Sequence, residues 1–181
     1  MTRLETSRVD RAAHQSVLAL FVLKHNWISA RSTSPSKGSP VNLMRVFLAA
    51  CGAFVAYFAL GGLLFGLLPM MKKEFMKYPA VYRSQEGIKK TMPFGMVAMF
   101  FAILALAVIY ALLYQGGSGL VEGARFGALI GVFSVGSFVI HNHVNLNIGA
   151  KLTLQQSVAY FAEWLAVGVV IGLIYSPLAR P

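Results

Sequence analysis

The stretch VFLAACGAFVAYFALGGLLFGLLPMM, residues 46–71, decides the fold, because it carries no charged side chain from end to end. The hydrocarbon core of a bilayer is about 30 Å thick, and about 20 apolar residues in a helix cross it. This run is long enough. Working outward, Thr91 to Val121 is also uncharged, and from Leu152 to Leu178 the only charge is Glu163. The chain is 57% hydrophobic and 12% charged, against about 25% charged in a soluble domain. These blocks predict an all-α, polytopic membrane protein with spanning helices at about 46–69, 93–114, 121–144 and 154–176. Pro93 is expected in the first turn of the second helix, where its missing N–H costs nothing. Gly116, Gly117, Ser118 and Gly119 break the chain before the third. Short links make neighbours antiparallel, so a four-transmembrane-helix bundle is expected.

The net charge is +10, but its placement argues against nucleic acid. Lys72, Lys73, Lys77, Arg83, Lys89 and Lys90 crowd the link between the first two blocks. Basic short links stay in the cytoplasm and favour anionic lipid. The link 71–92 is therefore expected inside, both ends of the bundle outside, and the protein in the inner membrane of a bacterium, with the lipid bilayer as its partner. Residues 1–43 fit this topology badly. They are basic, and their SARSTSPSKGSP stretch reads as disordered linker. Three readings compete: a mis-assigned start with the domain 44–181 beginning at Met44, a targeting segment, or a cytoplasmic tail that inverts the bundle or adds a re-entrant turn. The first removes the conflict with the charge rule. Cys51 is the single cysteine, so no intrachain disulfide is expected.

On the third helix Gly123, Gly127, Gly131, Ser134, Ser137, His141 and Asn145 fall on one face at about 100° per residue. Small residues let membrane helices approach closely, so Gly123, Gly127 and Gly131 are packing positions, with Gly62 and Gly66 of the first helix as their expected mate. On the fourth helix Gln156, Ala159, Tyr160, Glu163, Ala166, Val167 and Val170 share a face. Glu163 then lies near the midplane, about 15 Å from the helix start at about 1.5 Å per residue. An ionised carboxylate there costs roughly 2–3 kcal/mol or more, and desolvation favours the protonated acid. Glu163 is either a neutral hydrogen-bonding group or a proton or cation site, with Ser137, His141 and Tyr160 as its expected partners.

His141 and His143 in HNHVNLN are turned some 200° apart on a regular helix. They chelate one metal only if the helix unwinds, and otherwise form ordinary interface. No metal or other cofactor is expected. The signatures of soluble enzymes are missing: there is no phosphate-binding loop, dinucleotide fingerprint, CxxC or HExxH, and the only aspartate is Asp10.

From Phe58 to Tyr175 the segments ALGGLLFG, EGARFGALIG and HNHVNLN resemble small uncharacterised four-helix bacterial inner-membrane proteins. The resemblance implies a fold and a location, and carries over no functional residue. Two roles remain. One is a non-catalytic membrane subunit or assembly protein whose third helix docks another copy or another membrane protein. The other is a small oligomeric transporter, or proton/cation-coupled permeability protein, using Glu163. The first is ranked slightly ahead, because packing motifs outnumber chemical ones. A membrane enzyme ranks third.

Overall fold

The computed structural model describes residues 41–67 and 69–176, leaving out the side chains of Gly66, Leu67 and Pro69. The segment 1–40, the residues after Ser176 and the packing expected of Gly66 lie outside these bounds. The described elements are helical: α1 Leu43–Gly61, running on through a π-helical stretch Gly62–Leu67; α2 Pro69–Phe75; α3 Gln85–Leu113; α4 Gly119–Ser134, running through a second π stretch Val135–Ile140 into α5 His141–Asn145; and α6 Ala150–Tyr175. Four spans, Leu43–Phe65, Gln85–Leu113, Gly119–Asn145 and Ala150–Tyr175, are long and apolar enough to cross a membrane.

The helix starts follow from local chemistry. The Asn42 side chain accepts a hydrogen bond from the Arg45 amide at 3.0 Å and caps α1. Ser84 does the same for Gly87 at 3.2 Å, so α3 opens at Gln85, eight residues before the expected start. Pro93 therefore lies inside the helix. Its ring removes the bond to the Lys89 carbonyl, in a stretch of exposed residues where water can replace the donor. At 29 residues, α3 is about 43 Å long at about 1.5 Å per residue. It outreaches a hydrocarbon core, and its charged first two turns are the surplus.

The core is organised around α6, which packs on α4 along one side and on α1 along the other, while α3 packs on α1. The seam between α4 and α6 is made by backbone. A Cβ added to Gly127 would lie 2.6 Å from the Trp164 carbonyl oxygen and 2.8 Å from that of Leu165. One added to Gly168 would collide with the Gly127 backbone, and one on Gly172 would stand 2.7 Å from the Gly123 Cα. The mate of the α4 stripe is thus Gly168 and Gly172 of α6. Gly62, the expected mate, is exposed, and a Cβ added there would meet nothing within 4 Å. Against the other side of α6, Val46, Ala49, Ala50 and Ala53 of α1 are buried with Val167 and Ile171.

Each end of the bundle is tied separately. At one end the Tyr114 hydroxyl is 2.8 Å from the Ser176 hydroxyl, and Arg45 Nη1 donates to the Tyr175 carbonyl at 3.4 Å. At the basic end the buried Glu74 of α2 pairs with Lys77 at 2.9 Å and with Lys151 of α6 at 3.4 Å. The Gly149 amide donates to the Tyr78 hydroxyl at 3.0 Å. The basic link and the α5–α6 link are therefore on the same end, as alternating crossings require.

Two outcomes follow. Gly127→Ala forces the α6 backbone away and lowers stability by about 1–3 kcal/mol, read as a drop in the thermal midpoint in detergent, whereas Gly62→Ala leaves the midpoint within error or raises it. The Lys77 hydrogen bond, aided by Lys151 and opposed by desolvation, holds the Glu74 carboxyl below its ordinary value of 4.5. A group depressed on folding stabilises above its unfolded value and loses that contribution as pH falls through the folded one. The thermal midpoint should therefore fall as the pH is taken down through and below the ordinary carboxylate value of 4.5, and the Glu74→Gln variant should show a shallower fall.

Candidate functional site

Glu163 sits on the buried face of α6, between α1 and the remainder of the bundle, and is 1% exposed. It lies thirteen residues beyond Ala150, or about 20 Å along the helix. What admits a carboxyl group here is the absence of a side chain on α1. A Cβ added to Gly61 would be 2.7 Å from Glu163 Oε1. The Tyr57 phenol, one helical turn earlier on α1, reaches the same carboxyl group. Oε2 is buried and has no hydrogen-bond partner among the described residues. A buried acceptor without a donor is costly.

The backbone around this level departs from regular helix on both neighbours. The π stretch of α1 begins at Gly62, the residue after Gly61, and that of α4 covers Val135–Ile140. Tyr160, one turn before Glu163, lies between the two. Its ring is 5.7 Å from Phe65 of the first stretch and 5.4 Å from Phe138 of the second. Such wide turns often mark functional positions, because they leave the helix ladder locally looser. Below Tyr160, Gln156 is buried and donates through Nε2 to the Tyr82 hydroxyl at 3.3 Å. Tyr82, Gln156, Tyr160, Glu163 and Tyr57 thus form a succession of polar groups from the basic end into the bundle.

The expected site residues separate into two groups. Tyr160 and Glu163 are neighbours on one face, as their spacing indicates. Ser137 and His141 are not at the carboxyl group. Ser137 is exposed and its hydroxyl donates back to the Phe133 carbonyl at 2.6 Å; His141 is exposed on the outer side of α5. The difference has a geometric cause: Glu163 faces α1, while α4 is met by the next residue. Trp164 Nε1 donates to the Ser134 hydroxyl at 2.9 Å. Ser134 of α4 therefore lies at this depth of α6, but it meets Trp164, one residue on from Glu163. Gly123, Gly127 and Gly131 are buried in the seam with α6.

His143 is also engaged elsewhere, with Nδ1 at 2.9 Å from the Thr153 hydroxyl, which joins the end of α5 to the start of α6. Among the described residues no three His, Cys, Asp or Glu side chains stand where they could share a metal ion. Glu122 and Arg125 pair at 3.4 Å on the exposed first turns of α4, as their spacing predicts.

Three residues at the site escaped sequence reasoning. Tyr57 and Gly61 are four apart on α1, in YFALG, and so share a face, but nothing in that apolar run marks the face as the one opposite Glu163. Tyr82 lies in the basic link, where only tertiary contact puts it against α6. Compared with protein-family profiles, curated proteins and solved structures, the chain finds no match.

Proposed function

We propose that this chain is a multi-pass protein of the bacterial inner membrane in which Glu163 takes up and releases a proton, coupling it to the passage of a cation or small solute. The observation that carries this reading is the buried Glu163 carboxyl, whose Oε2 has no partner among the described residues, held among Tyr57, Gly61 and Tyr160. Ionisable side chains within membrane spans mark proton and ion pathways, because their insertion cost must otherwise be offset. The π stretches on both sides of Tyr160 support a site that can rearrange. The polar succession from Tyr82 through Gln156 gives the proton an entry from the basic end. That end faces the cytoplasm by the charge rule, since Lys72, Lys73, Lys77, Arg83, Lys89, Lys90 and Lys151 gather there and only Arg45 and Arg125 lie opposite among the described residues. Four helices enclose little pathway alone, so the working unit is an oligomer.

The second reading is a non-catalytic membrane subunit that docks a partner helix. It loses the stripe Gly123, Gly127, Gly131 as its surface, because α6 of the same chain covers it. It keeps Gly62, whose outward side is open.

In proteoliposomes, Glu163→Gln should abolish pH-dependent flux, a loss of at least about tenfold, while far-ultraviolet circular dichroism and the thermal midpoint stay close to those of the parent. Unchanged flux in a folded Glu163→Gln protein sinks the transport reading. Loss of a co-purifying membrane protein on Gly62→Leu, with Glu163→Gln silent, favours the docking subunit.

A further inference from the structure

A second feature lies at the basic end, sharing Tyr82 with the polar succession that leads to Glu163 but not the carboxyl group itself. A cavity of about 720 Å³ opens between the end of α1, the short helix α2, the link 76–84 and the first turn of α3. Its volume is within the range of about 300–1,000 Å³ typical of small-ligand sites. The inner wall is apolar and aromatic: Phe65 and Phe75 meet at 5.9 Å, Phe75 and Tyr82 at 4.7 Å, and Ile88 closes the side. Tyr82 is held in this wall by Gln156 of α6, so the wall is anchored to the core of the bundle. The rim carries two cations, Lys72 and Arg83.

The charges on that rim are unmatched. The acid nearest in sequence to Lys72 is Glu74, and it is committed to Lys77 and Lys151. Neither Lys72 nor Arg83 makes an ion pair among the described residues. A cavity with an apolar floor and two free cations at its mouth complements a molecule with an anionic head and a hydrocarbon tail. Its position, where a spanning helix gives way to a basic link, is where a membrane supplies such molecules.

We infer that this cavity binds one anionic phospholipid of the leaflet on the basic side, with the phosphate between Lys72 and Arg83 and an acyl chain against Phe65, Phe75 and Ile88. The guanidinium of Arg83 gives a planar fork for two phosphate oxygens, and Lys72 a point charge beside it. The inference stands independently of proton transfer at Glu163, since it uses neither that residue nor a flux.

The test is native mass spectrometry of the full chain released from nanodiscs containing equal amounts of phosphatidylglycerol and phosphatidylcholine. The expected result is one retained phosphatidylglycerol per chain. In the Lys72→Gln/Arg83→Gln double variant its retention should fall on the order of tenfold, as expected from removing two cations near an anionic headgroup. The Lys89→Gln/Lys90→Gln variant removes the same charge from the same basic segment and should retain the lipid. Equal retention of the two lipids by the parent chain overturns the inference, as does an equal loss in both double variants, which would mean diffuse attraction. Displacement of the lipid by excess inorganic phosphate also overturns it, by showing that the apolar wall contributes nothing. All four replaced side chains are exposed, and circular dichroism of each variant verifies its helical content.

Discussion

Water drives helices together by expelling apolar surface, but between two helices in lipid that force is missing, and contact must come from packing at close range. The structure meets this constraint at the seam of α4 and α6. Gly123 and Gly127 face Gly168 and Gly172, and the two backbones approach until a single Cβ on any of them would collide. The seam fixes the rotation of α6. With the Gly168 and Gly172 edge turned towards α4, the edge bearing Ala159, Glu163 and Val167 is turned into the remainder of the bundle, where all three are buried. Trp164 lies between these edges and bonds Ser134, which locks the same rotation a second way.

The position of the carboxyl group is a consequence. Glu163 could not be buried against a helix with bulky side chains at that level. Gly61 leaves the space and Tyr57 supplies the polar neighbour. The regular helix of α1 ends at that same glycine and the wider π stretch begins. On the opposite side α4 widens at Val135, immediately after the serine that holds Trp164. The two departures from regular helix thus bracket Tyr160, one turn from the buried Glu163. On the proposed reading, a close-packed seam beside two π stretches lets the buried group exchange its proton without the bundle coming apart.

Much of this was legible in the sequence. The four long apolar blocks fix the number of long helices, and the 3.6-residue period separates the buried face of α6, Gln156, Ala159, Glu163 and Val167, from its outer residues. The glycine stripe of α4 was legible as a packing face, and its mate was too, in the Gly168-x-x-x-Gly172 spacing of α6. The Gly62-x-x-x-Gly66 motif drew the pairing to the wrong helix because both spacings satisfy the same rule, and only the order of helices around α6 discriminates. The early start of α3 was hidden for a different reason. A window of hydropathy sees Lys89 and Lys90 as a link, whereas Ser84 as a cap lets the helix begin in water and enter the apolar layer later. The partners of Glu163 on the neighbouring helices could not be read at all. A periodicity gives the face of a helix but never which neighbour it meets, and a difference of one residue, Glu163 or Trp164, exchanges α1 for α4.

The most direct measurement of this account is an isotope-filtered nuclear Overhauser experiment on a sample mixing labelled and unlabelled chains in a membrane mimetic. The account predicts proton contacts between the Gly127 and Gly168 α-hydrogens, and between the Trp164 indole and Ser134, arising within single chains. Contacts between those glycines found only between different chains, or absent altogether, would contradict it.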